Sequence, residues 1–311
     1  MNKILVTGGT GMVGSAIHQV LGDRGVYIGT KTCDFRNLKD TVTLIKQQQP
    51  SAIIHLAARV GGVKENQDNM GEFFYENMKI NLNVLHAAHL AGVPKLVSLL
   101  STCVFPDQTN YPLFEKNIHN GEPHSTNFGY AYAKRMLDVQ SRAYRCQYGS
   151  NFITAIPNNL YGENDNFHLT KGHVIPAMIR KIHEANLNRD DKVEMWGDGS
   201  PLREFTHSTD IAKILLFLLD HYNDPEPINI GDTREISIKD VATMVANILD
   251  YRGEINWNQN FPNGQSRKPS NNDKLHSLGW TTNNYIPLAE GLAETCKWFK
   301  EQYPDVRGAR I

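Results

Sequence analysis

The chain has 311 residues, of which 40% are hydrophobic, and its formal net charge is -1. That length is enough for about two domains with buried cores, and the neutral balance excludes the basic surplus of a dedicated nucleic-acid binder. The longest aliphatic or aromatic run, 214–219, is far shorter than the roughly 20 residues of a membrane span. We therefore expect neither a nucleic acid nor a membrane as a partner.

The cysteine pattern and the N-terminus bear on the compartment. The apolar stretch at the N-terminus is too short for a secretory signal before glycine interrupts it. The four cysteines are widely spaced and form no Cys-x-x-Cys pair, so we expect neither a disulfide framework nor a metal site. A cytoplasmic protein is the expectation that follows.

Strands and helices alternate through the first half of the chain. The apolar spacing predicts strands over 3–7, 26–29, 52–57, 95–105 and 151–156, and helices over 12–21, 38–48, 72–91 and 129–148. Such alternation predicts an α/β fold in which helices cover both faces of a parallel sheet, the Rossmann-type doubly wound arrangement.

The regular alternation ends after about residue 160. The later chain is predicted to form helices near 175–185 and over 208–221, a strand over 227–229, and two helices after 236 joined by a polar stretch, 252–272. We predict a dinucleotide-binding domain over 1–165 with returns at about 206–235, and a smaller C-terminal substrate-binding domain over 166–205 and 236–311. The tail, 305–311, carries no motif and is expected to be disordered.

Glycines cluster directly after the first predicted strand. Residues 7–14, TGGTGMVG, contain G-x-G-x-x-G between a strand and a helix, which is the context that gives this pattern meaning. Gly8, Gly11 and Gly14 allow a tight turn and a close approach of backbone to a pyrophosphate. Met12 and Val13 begin the helix, whose free N–H groups attract anions. The loop predicts a dinucleotide site.

The end of the second predicted strand indicates which dinucleotide is bound. NAD sites usually carry Asp or Glu there, because a carboxylate accepts a hydrogen bond from the ribose 2′-OH. Here Lys31 follows the strand, and the next carboxylate is Asp34. A lysine suits a 2′-phosphate, so we predict NADP(H) as the cofactor. The alternative is that Lys31 is an ordinary surface lysine and that Asp34 lies near the adenine.

The pattern Y-x-x-x-K occurs three times, beginning at residues 27, 75 and 130. The first runs off a strand, and the second precedes the strand predicted over 95–105. Only Tyr130 and Lys134 lie on a helix that follows that strand, one turn apart on one face. A neighbouring ammonium favours the phenolate of a tyrosine. Ser101, near the strand's end, can hold a carbonyl oxygen while Tyr130 protonates it.

The sequence resembles the GDP-L-fucose synthases, the epimerase–reductases of the extended short-chain dehydrogenase/reductase family, over nearly its whole length. The resemblance lies in GMVGSAI (11–17), ARVGG (58–62), STC (101–103), YAYAK (130–134), PNNLYG (157–162), DNFH (165–168), HVIP (173–176) and REF (203–205). The stretch 158–176 is the most specific, since it goes beyond what dehydrogenases share.

The resemblance implies a GDP-linked 4-keto-6-deoxy sugar as substrate. GDP-4-keto-6-deoxy-D-mannose would be epimerised at C3 and C5, and NADPH would then reduce C4 to give GDP-L-fucose. Ser101, Tyr130 and Lys134 would carry the reduction, and Cys103 and His173 would act as epimerisation base and acid. Thiol and imidazole both titrate within about two units of neutrality. On a straight strand Ser101 and Cys103 point the same way.

Further binding positions follow from the same resemblance. The cofactor positions, besides the glycine loop and Lys31, are Ala57, Lys134, Asn158 and Leu160. The substrate positions are Asn159, His173, Lys181, Trp196, Arg203 and Lys268. Arg203 would bind a phosphate, since guanidinium suits paired oxygens; the alternative for it is an ion pair with Glu204 or Asp210. His168 is the nearest competitor of His173.

The chain departs from the family pattern at three positions. Thr10 stands where the family often has a basic residue, Lys181 stands for an arginine, and Thr102 stands for a serine. The family also implies a homodimer in which the helices near 72–91 and 129–148 form a four-helix bundle.

Two other functions compete with the epimerase–reductase. One is a related reductase or epimerase–reductase for a colitose-type or deoxyheptose-type sugar, and the presence of both Cys103 and His173 favours an intact epimerase instead. The other is a non-catalytic NADP-binding regulatory protein. The joint presence of Ser101, Tyr130 and Lys134 favours an enzyme over that second alternative.

Overall fold

The computed structural model describes residues 3–261, 263 and 265–309. Its strands are β1 (Ile4–Thr7), β2 (Gly25–Ile28), β3 (Ala52–His55), β4 (Lys95–Leu99), β5 (Asn151–Pro157), β6 (Asn159–Tyr161), β7 (Lys192–Trp196), β8 (Leu202–His207), β9 (Ile228–Ile230), β10 (Glu235–Ser237) and β11 (Glu254–Asn258). Its α-helices are α1 (Met12–Leu21), α2 (Leu38–Gln48), α3 (Val63–Asp68), α4 (Met70–Leu90), α5 (Phe128–Tyr148), α6 (Val174–Asn188), α7 (Ser208–His221), α8 (Ile238–Ile248), α9 (Asp273–Ser277) and α10 (Leu288–Gln302).

Six strands form one large sheet in the order β2-β1-β3-β4-β5-β9, and every pair is parallel. In register, Val6 of β1 lies between Tyr27 and Ile54. The winding direction reverses between β1 and β3, because β2 lies on the other side of β1. In such sheets a crevice opens beyond the carboxyl ends of the strands at this switch point.

Helices cover both faces of the large sheet, as the alternation predicted. On one face, α1 and α7 pack Ile17 and Leu215 against the sheet, and on the other α2, α4 and α5 contribute Ile45, Leu85 and Leu137. All four residues of β3 are buried, as expected for a parallel strand covered twice. The predicted doubly wound α/β fold is confirmed. No helix in the described part of the chain could cross a membrane.

Two small sheets follow in the second half of the chain. They have the orders β10-β8-β6 and β11-β7, and helices α6, α8 and α10 pack with them around a separate hydrophobic cluster. The sequence predicted only one helix and no strand between residues 161 and 205, so β7 and β8 were not expected. In β7 only Val193 and Met195 are buried, and they alternate with exposed residues, so no apolar run marks the strand.

The strand predicted over 95–105 is too long. β4 ends at Leu99, Ser101 keeps an extended backbone, and Thr102–Val104 forms a 3-10 turn. The expectation that Ser101 and Cys103 share one face of a straight strand is therefore wrong. The helix predicted over 72–91 begins two residues earlier, and the short helix α3 precedes it.

The tail is also more ordered than expected. Val306 and Ala309 are buried in the cluster around the small sheets. The Arg180 guanidinium donates a hydrogen bond to the Gly308 carbonyl at 2.6 Å, and the Phe167 N–H donates to Arg307. The expectation of disorder is wrong for 305–309, because burial of Val306 and Ala309 holds this segment against the rest of the protein. Residues 310 and 311 lie outside the described part.

Candidate active site

A cleft of about 1540 Å³ opens at the carboxyl end of the large sheet, toward the small sheets. Most residues predicted from the sequence line it: Gly8, Gly11, Met12, Val13, Gly14, Ala57, Ser101, Cys103, Tyr130, Lys134, Asn158, Asn159, Leu160, His173, Lys181, Trp196, Arg203 and Lys268. Lys31 and His168 are not among its lining residues. The fold therefore brings segments that are far apart in sequence to one cavity.

Three glycines of the loop, Gly8, Gly9 and Gly14, lie so close to neighbouring backbone that a side chain could not replace their hydrogens without a shift of the loop. Gly8 has a φ of +70°, and a Cβ there would lie 2.9 Å from the Ala57 nitrogen. A Cβ at Gly14 would lie 2.4 Å from the Gly8 oxygen. Helix α1 starts after Gly11 without a side-chain cap, so its first N–H groups are free to bind an anion. This arrangement fits a dinucleotide pyrophosphate.

The basic residue at the β2 end of the cleft differs from the one expected. Lys31 is exposed on the turn after β2, whereas Arg36 lines the cleft. The Arg36 guanidinium forms a bidentate pair with Asp34, with both contacts at 2.9 Å, and lies 3.4 Å from Glu76. Asp34 also lines the cleft. Sequence reasoning missed Arg36 because no motif marks a residue in this loop.

Tyr130 and Lys134 lie one turn apart at the start of α5. The Lys134 ammonium donates a hydrogen bond to the Leu99 carbonyl at 2.7 Å and lies 5.9 Å from the centre of the Tyr130 ring. Burial lowers the pKa of Lys134 to about 8. Burial also raises the pKa of Tyr130 well above its usual range, and negative charge on Cys103 acts in the same direction. Burial and Cys103 therefore keep the Tyr130 phenol protonated. From the neighbouring lysine alone we expected the phenolate to be favoured.

A buried polar chain supports the helix behind Lys134. His55 is hydrogen bonded to the Thr7 hydroxyl at 2.8 Å and to the Asn81 side chain at 3.2 Å, and the Asn81 amide donates to Ala133 at 3.0 Å. Burial, together with the charge of Lys134, lowers the pKa of His55 to about 3. A neutral His55 therefore ties β1 and β3 to α4 and α5. A lone strand histidine gave no sign of this in the sequence.

Ser101 and Cys103 meet through the 3-10 turn. The Cys103 N–H donates to the Ser101 hydroxyl oxygen at 3.4 Å, and both side chains line the cleft. Burial raises the pKa of the Cys103 thiol; the charge of Lys268 opposes this most, followed by the Ser101 hydrogen bond and Lys134. The 3-10 turn thus presents Ser101 and Cys103 to the same cleft, which we had expected a straight strand to do.

His173 stands at the start of α6, with half of its side chain exposed. Its Nδ1 lies 3.9 Å from a carboxylate oxygen of Asp165, which is itself buried. Removal from water lowers the pKa of His173, but Asp165 more than offsets this and the pKa is raised. His168 instead accepts hydrogen bonds from the backbone N–H groups of Thr170 and Lys171. Of the two histidines, only His173 is presented to the cleft.

The substrate side of the cleft carries cations and flat rings. The Lys181 ammonium lies 5.0 Å from the centre of the Trp196 ring, which stacks on Phe261 at 4.4 Å. Arg203 donates to the carbonyls of Leu202 and Gln265. Arg203 therefore does not form the ion pair with Glu204 or Asp210 that was the alternative to phosphate binding.

The carboxylates that could have paired with Arg203 have other partners. Glu204 accepts from the N–H and hydroxyl of Ser270, and Asp210 accepts from the Ile286 N–H. Burial raises the pKa of Glu204 to about 7. Among the described residues, the Arg203 guanidinium forms no salt bridge with a carboxylate.

Asn158 and Asn159 face the protein more than the cavity. The Asn158 amide donates to the Asp232 carbonyl at 2.7 Å and accepts from the Thr206 hydroxyl at 2.7 Å. The Asn159 amide donates to the Glu204 carbonyl at 2.8 Å. Both residues line the cleft, but these bonds engage both groups of the Asn158 amide and the amide nitrogen of Asn159, so the two residues shape the wall by holding the junction of β5 and β6 against β8.

Comparison with known proteins gives concordant matches. Residues 4–231 match the NAD dependent epimerase/dehydratase family. The chain is 42% identical to a GDP-L-fucose synthase of Dictyostelium discoideum, over 98% of this chain and 97% of that protein. It is 36% identical to a GDP-L-colitose synthase of Yersinia pseudotuberculosis, over 96% and 97%. A crystal structure of a GDP-L-fucose synthetase from Naegleria fowleri bound to NADP superposes with a TM-score of 0.92 at 36% identity, over 98% and 95%.

Proposed function

The chain belongs to the NAD dependent epimerase/dehydratase family, and on that premise we propose that it is an epimerase–reductase converting GDP-4-keto-6-deoxy-D-mannose to GDP-L-fucose with NADPH. One observation carries the proposal: two sets of proton-transfer groups line a single cleft. Ser101, Tyr130 and Lys134 suffice for a reductase. Cys103 and His173 add the base and acid that exchange of carbon-bound protons beside a ketone requires.

The cleft fits NADP(H) at its large-sheet end. The glycine loop and the free N–H groups of α1 would hold the pyrophosphate, and Ala57, Asn158 and Leu160 would border the rest of the cofactor. Arg36 is the cation that lines the cleft near the expected 2′-phosphate. When bound, NADPH supplies the reducing equivalent for C4 of the sugar.

Epimerisation falls to Cys103 and His173. The Cys103 thiolate takes a proton from the carbon beside the ketone, and His173 returns one to the opposite face. The raised pKa of His173 favours its protonated form, which suits a proton donor. Ser101 holds the ketone oxygen, where negative charge develops during the exchange.

Reduction falls to Tyr130 and Lys134. Tyr130 gives its proton to the ketone oxygen as that oxygen becomes a hydroxyl, and its raised pKa keeps the proton in place until then. Lys134, whose ammonium lies 5.9 Å from the centre of the Tyr130 ring, would stabilise the resulting phenolate. The Leu99 carbonyl holds the ammonium in position.

The nucleotide end of the substrate meets the small-sheet side of the cleft. Lys181 and Arg203 supply positive charge for the diphosphate, and the stacked rings of Trp196 and Phe261 give a flat apolar surface for the base. Asn159 contributes to the wall beside the sugar. We accordingly propose two domains divided as expected from the sequence, the second of which binds the sugar nucleotide.

Assembly and compartment belong to the same proposal. Seven exposed large hydrophobic side chains lie on α4 and α5: Phe74, Tyr75, Leu82, Leu90, Phe128, Val139 and Tyr148. The two helices pack against each other, and a second copy could cover this surface as a four-helix bundle. All four cysteines are free, which suits a homodimer that works in the reducing cytoplasm.

The decisive test is an assay with GDP-4-keto-6-deoxy-D-mannose and NADPH. We expect oxidation of NADPH with formation of GDP-L-fucose, loss of reduction in Tyr130→Phe, and retained NADPH binding without epimerisation in Cys103→Ser. Reduction without inversion at C3 and C5 would contradict the epimerase part and favour a reductase of the heptose type. Preference for a 3-deoxy substrate would favour the colitose type, and no turnover of any keto sugar would leave a non-catalytic protein.

A further inference from the structure

A short segment, 265–270, joins the two sides of the cleft, and we call it the strap. On one side, the Gln265 amide donates to Asp107 at 3.0 Å and the Leu113 N–H donates to the Pro269 carbonyl at 2.8 Å. On the other, the Leu202 N–H donates to the Ser266 carbonyl at 2.9 Å. Ser270 then binds the Glu204 carboxylate through both its N–H and its hydroxyl. These five hydrogen bonds, made by backbone and side-chain atoms of four of its residues, therefore hold the strap in place.

The strap carries two adjacent cations with different surroundings. The Arg267 guanidinium forms a bidentate pair with Glu235 and is largely exposed. Lys268 is half-buried and lines the cleft. Among the described residues, its ammonium has neither a hydrogen-bond acceptor nor a carboxylate within bonding distance, and its strongest favourable interaction is with Cys103. Lys268 thus brings a positive charge, engaged by no hydrogen bond or salt bridge among the described residues, to the cleft that Cys103 also lines.

We propose that Lys268 is a positioning residue for proton abstraction, because its ammonium group stabilises the negative charge that Cys103 must carry before it can act as a base. The inference rests on the function proposed above and assigns a role to a lysine that the sequence placed among the substrate contacts. The Cys103 proton leaves to solvent, and the sulfur then takes the sugar's C–H proton. The electron pair of that C–H bond moves onto the ketone oxygen.

The other groups facing Cys103 are less suited to this role. Lys134 donates to the Leu99 carbonyl, and the Arg135 guanidinium donates to the carbonyls of Val104 and Gly121. Tyr130 would repel a thiolate once it lost its own proton. Burial raises the pKa of Cys103, and Lys268 is the strongest of the influences that lower it. Lys268, the cation without a hydrogen-bond acceptor, is therefore also the one that most lowers the pKa of the Cys103 thiol.

The test is the pH dependence of Cys103 alkylation by iodoacetamide in the full-length protein, read by peptide mass spectrometry. The background is Cys146→Ser, because Cys146 is the exposed cysteine. In Lys268→Met we expect the alkylation midpoint to move to higher pH, with roughly tenfold slower reaction at neutral pH for each pKa unit of the move. Lys268→Arg keeps the charge and should stay close to the parent profile.

Lys181→Met is the matched control, since that lysine also lines the cleft but lies over Trp196. It should weaken substrate binding and leave the alkylation profile unchanged. NADPH binding checks that each variant is folded. An unchanged midpoint in Lys268→Met, or the same shift in Lys181→Met, would overturn the proposal. Alkylation needs no sugar substrate, so absence of GDP-L-fucose formation in the parent protein would count against the proposed function alone.

Discussion

Burial and neighbouring charge set the proton affinities of single residues in the cleft. Burial raises the pKa of both Tyr130 and Cys103, and it lowers the pKa of Lys134 to about 8. All three shifts favour uncharged side chains, because charge is costly away from water. The charged forms that the chemistry requires must therefore be stabilised by cations, and within the protein Lys134 and Lys268 are placed to do so.

Substitution of Arg36 and of Lys31 tests which of the two cations makes the protein prefer NADP over NAD. Because Arg36 lines the cleft and Lys31 does not, Arg36→Ala should weaken NADPH binding by about tenfold, roughly one charge-assisted contact, and affect NADH much less. Lys31→Ala is the control and should change neither constant. Fluorescence titration of both dinucleotides measures this. If Lys31→Ala carried the larger effect, the sequence-based assignment would stand instead.

The loss of folding stability at acid pH should depend on His207, which is buried beside Tyr161. Burial, with the charge of Lys213, lowers its pKa to about 4, below the 6.5 of an exposed histidine. The folded state then binds fewer protons than the unfolded state, so stability is lost as pH falls from about 6.5 through 4. His207→Phe should reduce the loss between pH 7 and pH 4.5 by about 2 kcal/mol in urea denaturation. The surface variant His221→Phe should show the parent's loss, and equal losses in both would refute the assignment.

At the scale of elements, two tight turns convert strand ends into a reactive surface. The glycine loop places the start of α1 against the cleft, and the 3-10 turn after β4 brings Ser101 and Cys103 together. Both turns follow strands of the parallel sheet, whose carboxyl ends meet at one edge. Local backbone geometry, rather than regular strand alternation, therefore presents the reacting side chains.

Gly14→Ala tests the packing of the glycine loop. The added methyl would lie 2.4 Å from the Gly8 carbonyl oxygen, so the loop must shift away from its pyrophosphate-binding shape. We expect NADPH affinity to fall by at least tenfold, about 1.4 kcal/mol, in calorimetric titration. Gly71→Ala lies in α4 with open space around its Cβ position and should bind NADPH normally. Unchanged affinity in Gly14→Ala would show that the loop does not hold the pyrophosphate.

At the scale of the whole molecule, α4 and α5 serve two purposes. Their inner faces build the core of the large sheet and hold Tyr130 and Lys134, while their outer faces expose apolar side chains. Tyr75 and Leu82 are seven residues apart, and so lie on one side of α4. Formation of a dimer through this surface would support the helix that carries the reductase pair.

Leu82→Glu tests the proposed dimer surface. Leu82 is 44% exposed, and a charge there would be buried twice in a symmetric interface. We expect the variant to sediment as a monomer at concentrations where the parent is a dimer. Leu187→Glu, on α6, changes a leucine that is 60% exposed and should leave the assembly intact. A dimeric Leu82→Glu protein would place the interface elsewhere.

Sequence alone was sufficient for the family, the parallel sheet and the order of its main helices. These depend on local patterns: glycine spacing after a strand, apolar periodicity, and the Tyr130–Lys134 spacing on one helix face. Strand β7 was missed, because its two buried side chains alternate with exposed residues and form no apolar run. The ordered tail was missed for a similar reason, since its few apolar residues pack against distant segments.

Tertiary structure alone decided which charged and polar groups act together. Arg36 rather than Lys31 lines the cleft, His173 rather than His168 meets it, and Lys268 shares the cleft with Cys103, which lies far away in sequence. Local sequence patterns determine which segments become helices and strands. The energy of a charge depends on its distance from other charges and from water, and only the folded chain sets those distances.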